Sequence, residues 1–137
     1  MIAIFLAAVL AQTPTTFTLD AIGRQSLPRT GCAAFLWNTS DRRLVAMASA
    51  DAATLRLAID GRTVDLARTA QDGPLSLGFG KQARYEGAGV SATLDMAVVP
   101  RENLVAGAQV PDGSLEVSRA GADTLIVPVA GLIGCST

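Results

Sequence analysis

Histidine is absent from the 137-residue chain. That absence removes the usual general base at neutral pH, the Ser-His-Asp and Cys-His arrangements, and the commonest zinc ligand. Cysteine occurs only as Cys32 and Cys135. The two are too far apart for a CxxC redox pair or a metal knuckle. Lysine occurs once, at Lys81, and no Ser-x-x-Lys motif exists to activate a serine. Charged residues make up 17% of the chain and balance to a formal net charge of -1. There is no cationic excess to hold a phosphate backbone, so no nucleic-acid partner is expected. Aromatics are only 4%, with one Trp and one Tyr. No apolar run reaches the roughly 20 residues a membrane-spanning helix needs.

Half of the residues are hydrophobic, enough to offset the entropy of ordering one domain but not two. Residues 1–11 read MIAIFLAAVLA and are followed by the polar stretch Gln12-Thr13-Pro14-Thr15-Thr16. Val9 and Ala11 fit the small-residue positions before a signal-peptidase cut, although no Lys or Arg precedes the apolar run. A signal peptide over 1–11, mis-started if the true start lies upstream, is therefore the expectation, and a buried N-terminal strand is the competing one. Residues 12–31 then form a leader or first strand and loop, and 32–137 a single β domain. Export into an oxidising compartment makes a Cys32–Cys135 disulfide the expected state of the cysteines. Such a bridge closes a loop of about 100 residues, worth about 4–5 kcal/mol in the chain-entropy picture.

Beyond the leader the pattern alternates with period two and is broken by Gly, Pro, Asn and Asp, as short strands joined by turns. Leu55, Leu57 and Ile59 alternate with polar or small residues up to Asp60-Gly61, a type I′ turn dipeptide. Val64 and Leu66 resume the alternation. A two-residue turn then sets Leu57 opposite Val64 and Leu55 opposite Leu66 on one face. Further strands are expected over Cys32–Thr39, with Ala33, Phe35 and Trp37 on one face, and over Leu75–Phe79. Val90–Val99 has Val90, Ala92, Leu94, Met96 and Val98 on one side. Pro111-Asp112-Gly113 reads as a turn before Leu115 and Val117. Ala120–Asp123 reads as another, before a strand with Leu125, Val127 and Val129 on one face and Pro128 at an edge or bulge. Asp41–Ile59 lacks Gly and Pro, yet alternation and the Ser49–Ala52 turn favour two strands over a helix. Arg101–Gln109 is the expected irregular crossover. The whole reads as all-β: an antiparallel sandwich or small barrel of about eight short strands, its N- and C-terminal regions joined by the disulfide.

The acids mostly sit beside turns (Asp60, Asp72, Asp112, Asp123), where they cap backbone. Asp95 and Glu116 fall at outward strand positions. Gly78-Phe79-Gly80-Lys81-Gln82-Ala83 matches a loose dinucleotide pattern, but no helix can follow it through Gly87 and Gly89, so a tight hairpin is expected and no cofactor. Trp37 between apolar neighbours reads as core. Tyr85, between Arg84 and Glu86, reads as a recognition anchor with Lys81 and Arg84 as rim charges. Asn38-Thr39-Ser40 matches a glycosylation pattern that also arises by chance.

Gly80–Gly87 followed by Ala92-Thr93-Leu94 loosely resembles the signature loop and next strand of the periplasmic C-type lysozyme inhibitors. Phe79 stands where that family has serine. The resemblance implies a small exported β-barrel whose 80–87 loop enters a hydrolase cleft. Three functions follow as expectations. The first is a non-enzymatic binding or accessory domain, periplasmic or secreted, with a protein or glycan partner of the cell envelope. The others are an inhibitor of a cell-wall hydrolase acting through the 80–87 loop, and a hydrolase built on carboxylates.

Overall fold

A computed structural model describes residues 3–5, 16–101 and 107–136. Within them nine strands follow one another: β1 (Leu19–Asp20), β2 (Cys32–Asn38), β3 (Leu44–Ser49), β4 (Thr54–Ile59), β5 (Arg62–Asp72), β6 (Gln82–Gly87), β7 (Val90–Pro100), β8 (Gly107–Arg119) and β9 (Leu125–Cys135). Each strand from β3 to β9 pairs antiparallel with its predecessor, and β9 returns to pair antiparallel with β2. The result is an eight-stranded up-and-down barrel, with β1 added alongside the end of β4. Closure leaves no barrel strand with a free edge. Of the leader-like segment 1–11, only residues 3–5 are described, and the rest lies outside the described residues, as do 102–106 of the expected crossover.

The Asp60-Gly61 hairpin forms with the expected register, Leu55 opposite Leu66 and Leu57 opposite Val64. Both turn residues take positive φ, 50° and 78°, the backbone a type I′ turn needs to match strand twist. Residues 41–59 form β3 and β4 rather than a helix. The even positions of β7, and Leu125, Val127 and Val129 of β9, face the interior with the rest of the core. That core is mostly Leu, Val, Ile and Ala with three buried aromatics, Phe17, Phe79 and Tyr85.

Three expectations give way. The strand expected over Leu75–Phe79 is a tight turn, with Ser76 bridging Phe79 and positive φ at Leu77 and Gly78. It folds Phe79 into the core while Leu75 stays exposed. Pro111-Asp112-Gly113 does not end a strand but lies inside β8, where the register against β9 slips between Val110 and Gly113. A bulge tolerates a proline because the bulged residue does not owe the ladder a hydrogen bond. Trp37 is not core. Ala34 and Leu36 of β2 point inward, and Ala33, Phe35 and Trp37 share the outer face.

A second, thinner layer lies on that outer face. Residues 21–30 run outside the barrel and set Ile22 against Ala33, Met47 and Ala58, with Phe35 and Leu44 at the margin. Polar ties hold this arm: Ile22 N donates to Leu44 O at 2.9 Å, and Arg56 Nη1 donates to Gln25 Oε1 at 2.8 Å. Upstream, Phe17 is buried against the barrel end under the guanidinium of Arg119. Cys32 and Cys135 are directly opposed at the β2–β9 seam and joined by a disulfide. The bridge therefore fastens the one junction that is made between the first and last barrel strands.

Candidate functional site

Three carboxylates, Asp20, Asp60 and Asp65, tie strands and turns together. Asp60 Oδ1 accepts from Thr18 N at 3.0 Å, and Asp60 Oδ2 accepts from Arg119 Nη1 at 3.0 Å. The Thr18 amide first, and then the Arg119 guanidinium, hold the Asp60 carboxyl below its ordinary range. Asp20 Oδ2 accepts from Gly61 N at 2.8 Å, tying β1 to the same hairpin tip. Asp65 receives both Nε and Nη2 of Arg56 across β4 and β5. Glu116 is exposed on the outer face of β8. Both cysteines are bonded to each other, so neither offers a thiolate. Among the described residues no group of three or more His, Cys, Asp or Glu side chains could hold a metal ion.

The three residues singled out as a recognition loop do not share a surface. Gln82–Gly87 is strand β6, so its side chains alternate. Arg84 points out and is exposed, whereas Tyr85 points into the barrel and is 1% exposed. Lys81 lies just before the strand, where its backbone N donates to Asp72 O at 3.1 Å and its O accepts from Met96 N at 2.9 Å. Tyr85 is thus unavailable as an anchor, and the 80–87 segment is a barrel stave rather than a protruding loop. Alternation of Ala83 and Tyr85 against Gln82, Arg84 and Glu86 is the sequence signal for this placement. The glycines of the dinucleotide-like pattern belong to the turn before β6, with no helix after them.

Two surface features remain. One is an open groove of about 570 Å³ at the bulged β7–β8 corner, beneath the 74–81 turn. Phe79, Met96 and Val98 line its apolar part, and Lys81, Asp95 and Asp112 its polar rim. Ala97 pairs with Asp112 and Asp95 with Ser114, so the two carboxylates stand diagonally on neighbouring strands. Asp95 Oδ1 also accepts from Gln82 Nε2 at 3.0 Å.

The other feature is the outer face of the β2–β9 seam. Strand β9 reads LIVPVAGLIGC, without one charged or hydrogen-bonding side chain apart from the bridged cysteine. An antiparallel strand with one wet face normally alternates; a run apolar on both faces belongs between two layers. Here the inner face is core and the outer face is open. Ile126 is 68% exposed, Leu132 47% and Trp37 37%. Phe35 lies opposite Leu132, and Trp37 opposite Ala130. These side chains form one apolar strip beside the patch that the 21–30 arm covers. The outer faces of β4, β5, β6 and β8 carry charge instead, at Arg56, Asp65, Arg84, Glu86 and Glu116. An apolar interior under such a surface is the reverse of a membrane-spanning barrel. No helix among the described residues is long and apolar enough to cross a membrane. Comparison with protein-family models, with curated proteins and with solved structures finds no match to this chain.

Proposed function

We propose that this chain is a non-enzymatic binding or accessory domain of the cell envelope, periplasmic or secreted, that receives a protein partner on the outer face of the β2–β9 seam. The observation that carries this reading is the exposed strip of Ile126 and Leu132 on β9, a strand with no polar side chain, with Trp37 of β2 beside half-buried Ala130. A contiguous exposed apolar patch marks an interaction site. The strip also continues a packing surface this protein already uses, since the arm covers Ala33 and Met47 next to it. A glycan would ask for hydroxyl and carboxylate partners that the strip does not have. The leader pattern and the Cys32–Cys135 bridge support an oxidising compartment.

The test places a photo-crosslinking residue at position 126 or 132, and at 84 or 86 on the polar side as controls. In envelope extract, one discrete adduct is expected from 126 and 132, none from the controls, and none from 126 when Leu132→Glu is also present. Both substitutions are at exposed sites and leave stability within about 0.5 kcal/mol. Adducts of equal yield from all four positions would defeat the reading. An adduct at twice the mass of this chain would assign the strip to a second copy.

One observation favours a second reading, a carboxylate-based hydrolase: Asp95 and Asp112 line the same groove. Hydrolysis of a glycosidic bond needs two carboxyl groups flanking it. Its test is hydrolysis of cell-wall glycan by the purified protein. Activity lost in both Asp95→Asn and Asp112→Asn supports it, and inactivity of the unmodified chain removes it.

A further inference from the structure

Arg68 and Tyr85 are register partners on β5 and β6. Directly opposed residues in an antiparallel pair project to the same side of the sheet. Tyr85 is inside the barrel, so the Arg68 side chain sets out in the same direction. Immediately after it the register slips, between Arg68 and Ala70. Both side chains end in polar atoms sealed from solvent. Arg68 Nη1 and Tyr85 Oη are buried and make no hydrogen bond among the described residues. Among the described residues Arg68 makes no ion pair. The residues flanking Tyr85 on the inner wall are small and apolar, Ala83 on its own strand and Ala92 across β7.

Buried polar groups are almost always paired, because an unpaired one forfeits its hydration. A guanidinium can only donate. A phenol without a partner can donate as well. What two such donors lack is one acceptor, and a guanidinium nearby makes a negative acceptor the better one. Among the described residues no buried side chain supplies a carboxylate, since each is apolar or Tyr85. The described residues thus leave both donors without an acceptor, and a ligand from outside the chain would supply it. It must be small, because Leu and Val occupy the rest of the interior. Its way in lies beside Arg68, which is only half-buried and whose backbone N donates to Ala53 O in the β3–β4 turn.

We infer that Arg68 and Tyr85 form a small-anion site inside the barrel, taking a short carboxylate or an inorganic anion at the β3–β4 end. The guanidinium supplies charge and one sealed N–H, and the phenol supplies a second donor. The site is independent of the β2–β9 face and does not rest on any partner bound there.

Tyr85 is the only tyrosine in the chain, so its ring resonances are a private reporter. The full-length protein is titrated separately with acetate, phosphate and chloride, with ionic strength held by a bulky sulfonate. The expected result is a saturable shift of the Tyr85 ring signals with one of the three, accompanied by a rise in thermal midpoint. Acetate distinguishes a carboxylate from the two inorganic arms. In Arg68→Met the shift and the thermal gain are both lost. Arg68→Lys keeps the charge but not the fork, and weakens the apparent Kd by about tenfold, the size of one charge-assisted hydrogen bond. In Tyr85→Phe the thermal gain falls by a similar factor in apparent Kd. If Arg68→Met does not fold, the Lys and Phe variants decide the matter. No saturable Tyr85 shift with any arm, or an unchanged response in the Lys and Phe variants, overturns the site and leaves a bridging water as the acceptor.

Discussion

Replacing Cys32 and Cys135 together by alanine tests whether the seam is held by sulfur or by pairing. Alanine suits the sites because both cysteines pack against the core, where a serine hydroxyl would need a partner. The bridge joins residues 103 apart, and cross-linking a loop of that length lowers unfolded-state entropy by an amount worth about 4.7 kcal/mol at 25 °C. A domain of this size holds about 5–15 kcal/mol in all. The double variant should therefore lose a third or more of its stability, and its thermal midpoint should drop by roughly 15–20 °C. Urea unfolding gives the free energy directly. The slope m should also rise, because the unbridged chain exposes more surface when it unfolds. Reductant should bring the unmodified protein to the same midpoint as the variant.

The competing account is that β2–β9 pairing is enough. Seven register pairs run along that junction, from Cys32–Cys135 to Asn38–Val129. If they suffice, the variant loses less than about 2 kcal/mol, well short of the entropic figure. A loss that small, with m unchanged, would refute the cross-link argument. Hydrogen exchange separates the cases further. Loss of the staple should speed exchange first in β2 and β9, the strands that meet only through closure of the ring, while the Asp60-Gly61 hairpin keeps its protection.

Gly131→Ala tests the same seam sterically: a Cβ there would strike the carbonyl oxygen of Phe35, so a loss of about 1–3 kcal/mol in urea unfolding is expected. Asp60→Asn should be less stable than the unmodified protein at pH 7. Because the folded Asp60 carboxyl lies below its ordinary 3.8, that difference is present above pH 3.8 and closes as the pH falls through the lower folded value. Stability curves of the two proteins in acid would check it, and a gap that persisted at low pH would contradict the assignment. Burial raises the Tyr85 hydroxyl above its ordinary 10.0, with the charge of Arg68 opposing in part. The contribution of Tyr85 is thus complete below pH 10 and lost as pH rises towards the folded value. Ultraviolet titration should show no phenolate step at pH 10 while the barrel is folded.

Alternation was readable wherever turn chemistry set its phase. Asp60-Gly61 fixes the ends of β4 and β5, and from there each apolar residue has one possible face. Strand β7 was equally readable because its off-face positions are Ser91, Thr93 and Asp95. Strand β2 carries no phase. Its run Cys-Ala-Ala-Phe-Leu-Trp is apolar on both faces, so size was the only guide, and size pointed the wrong way. Inside a narrow barrel Leu36 faces Ala46 and Ala34 faces Ala48, and the bulkier Phe35 and Trp37 are left outside. Turn chemistry itself misled at Pro111-Asp112-Gly113, because bulges and turns draw on the same residues. At Tyr85 the charged neighbours outweighed an alternation that already placed it with Ala83.

The candidate interaction face was present in the sequence in the same ambiguous form. In β9 and β2, loss of alternation means that both faces are apolar, and composition cannot say whether a second layer exists to cover them. The fold answers half of the question. Residues 21–30 supply that layer over Ala33, Met47 and Ala58, which accounts for apolar outer positions on β2, β3 and β4. They stop short of Ile126, Ala130 and Trp37. Among the described residues no segment covers the strip as the arm covers its neighbour. Grafting polarity onto it separates structural from interactive roles. Ile126→Lys should leave folding unchanged within about 0.5 kcal/mol because the residue is already in water. Met47→Lys, under the arm, would bury an unpaired charge and cost several times that. Equal destabilisation by the two would mean that the strip is packed in solution by this chain itself, and the argument for an outside partner would lose its basis.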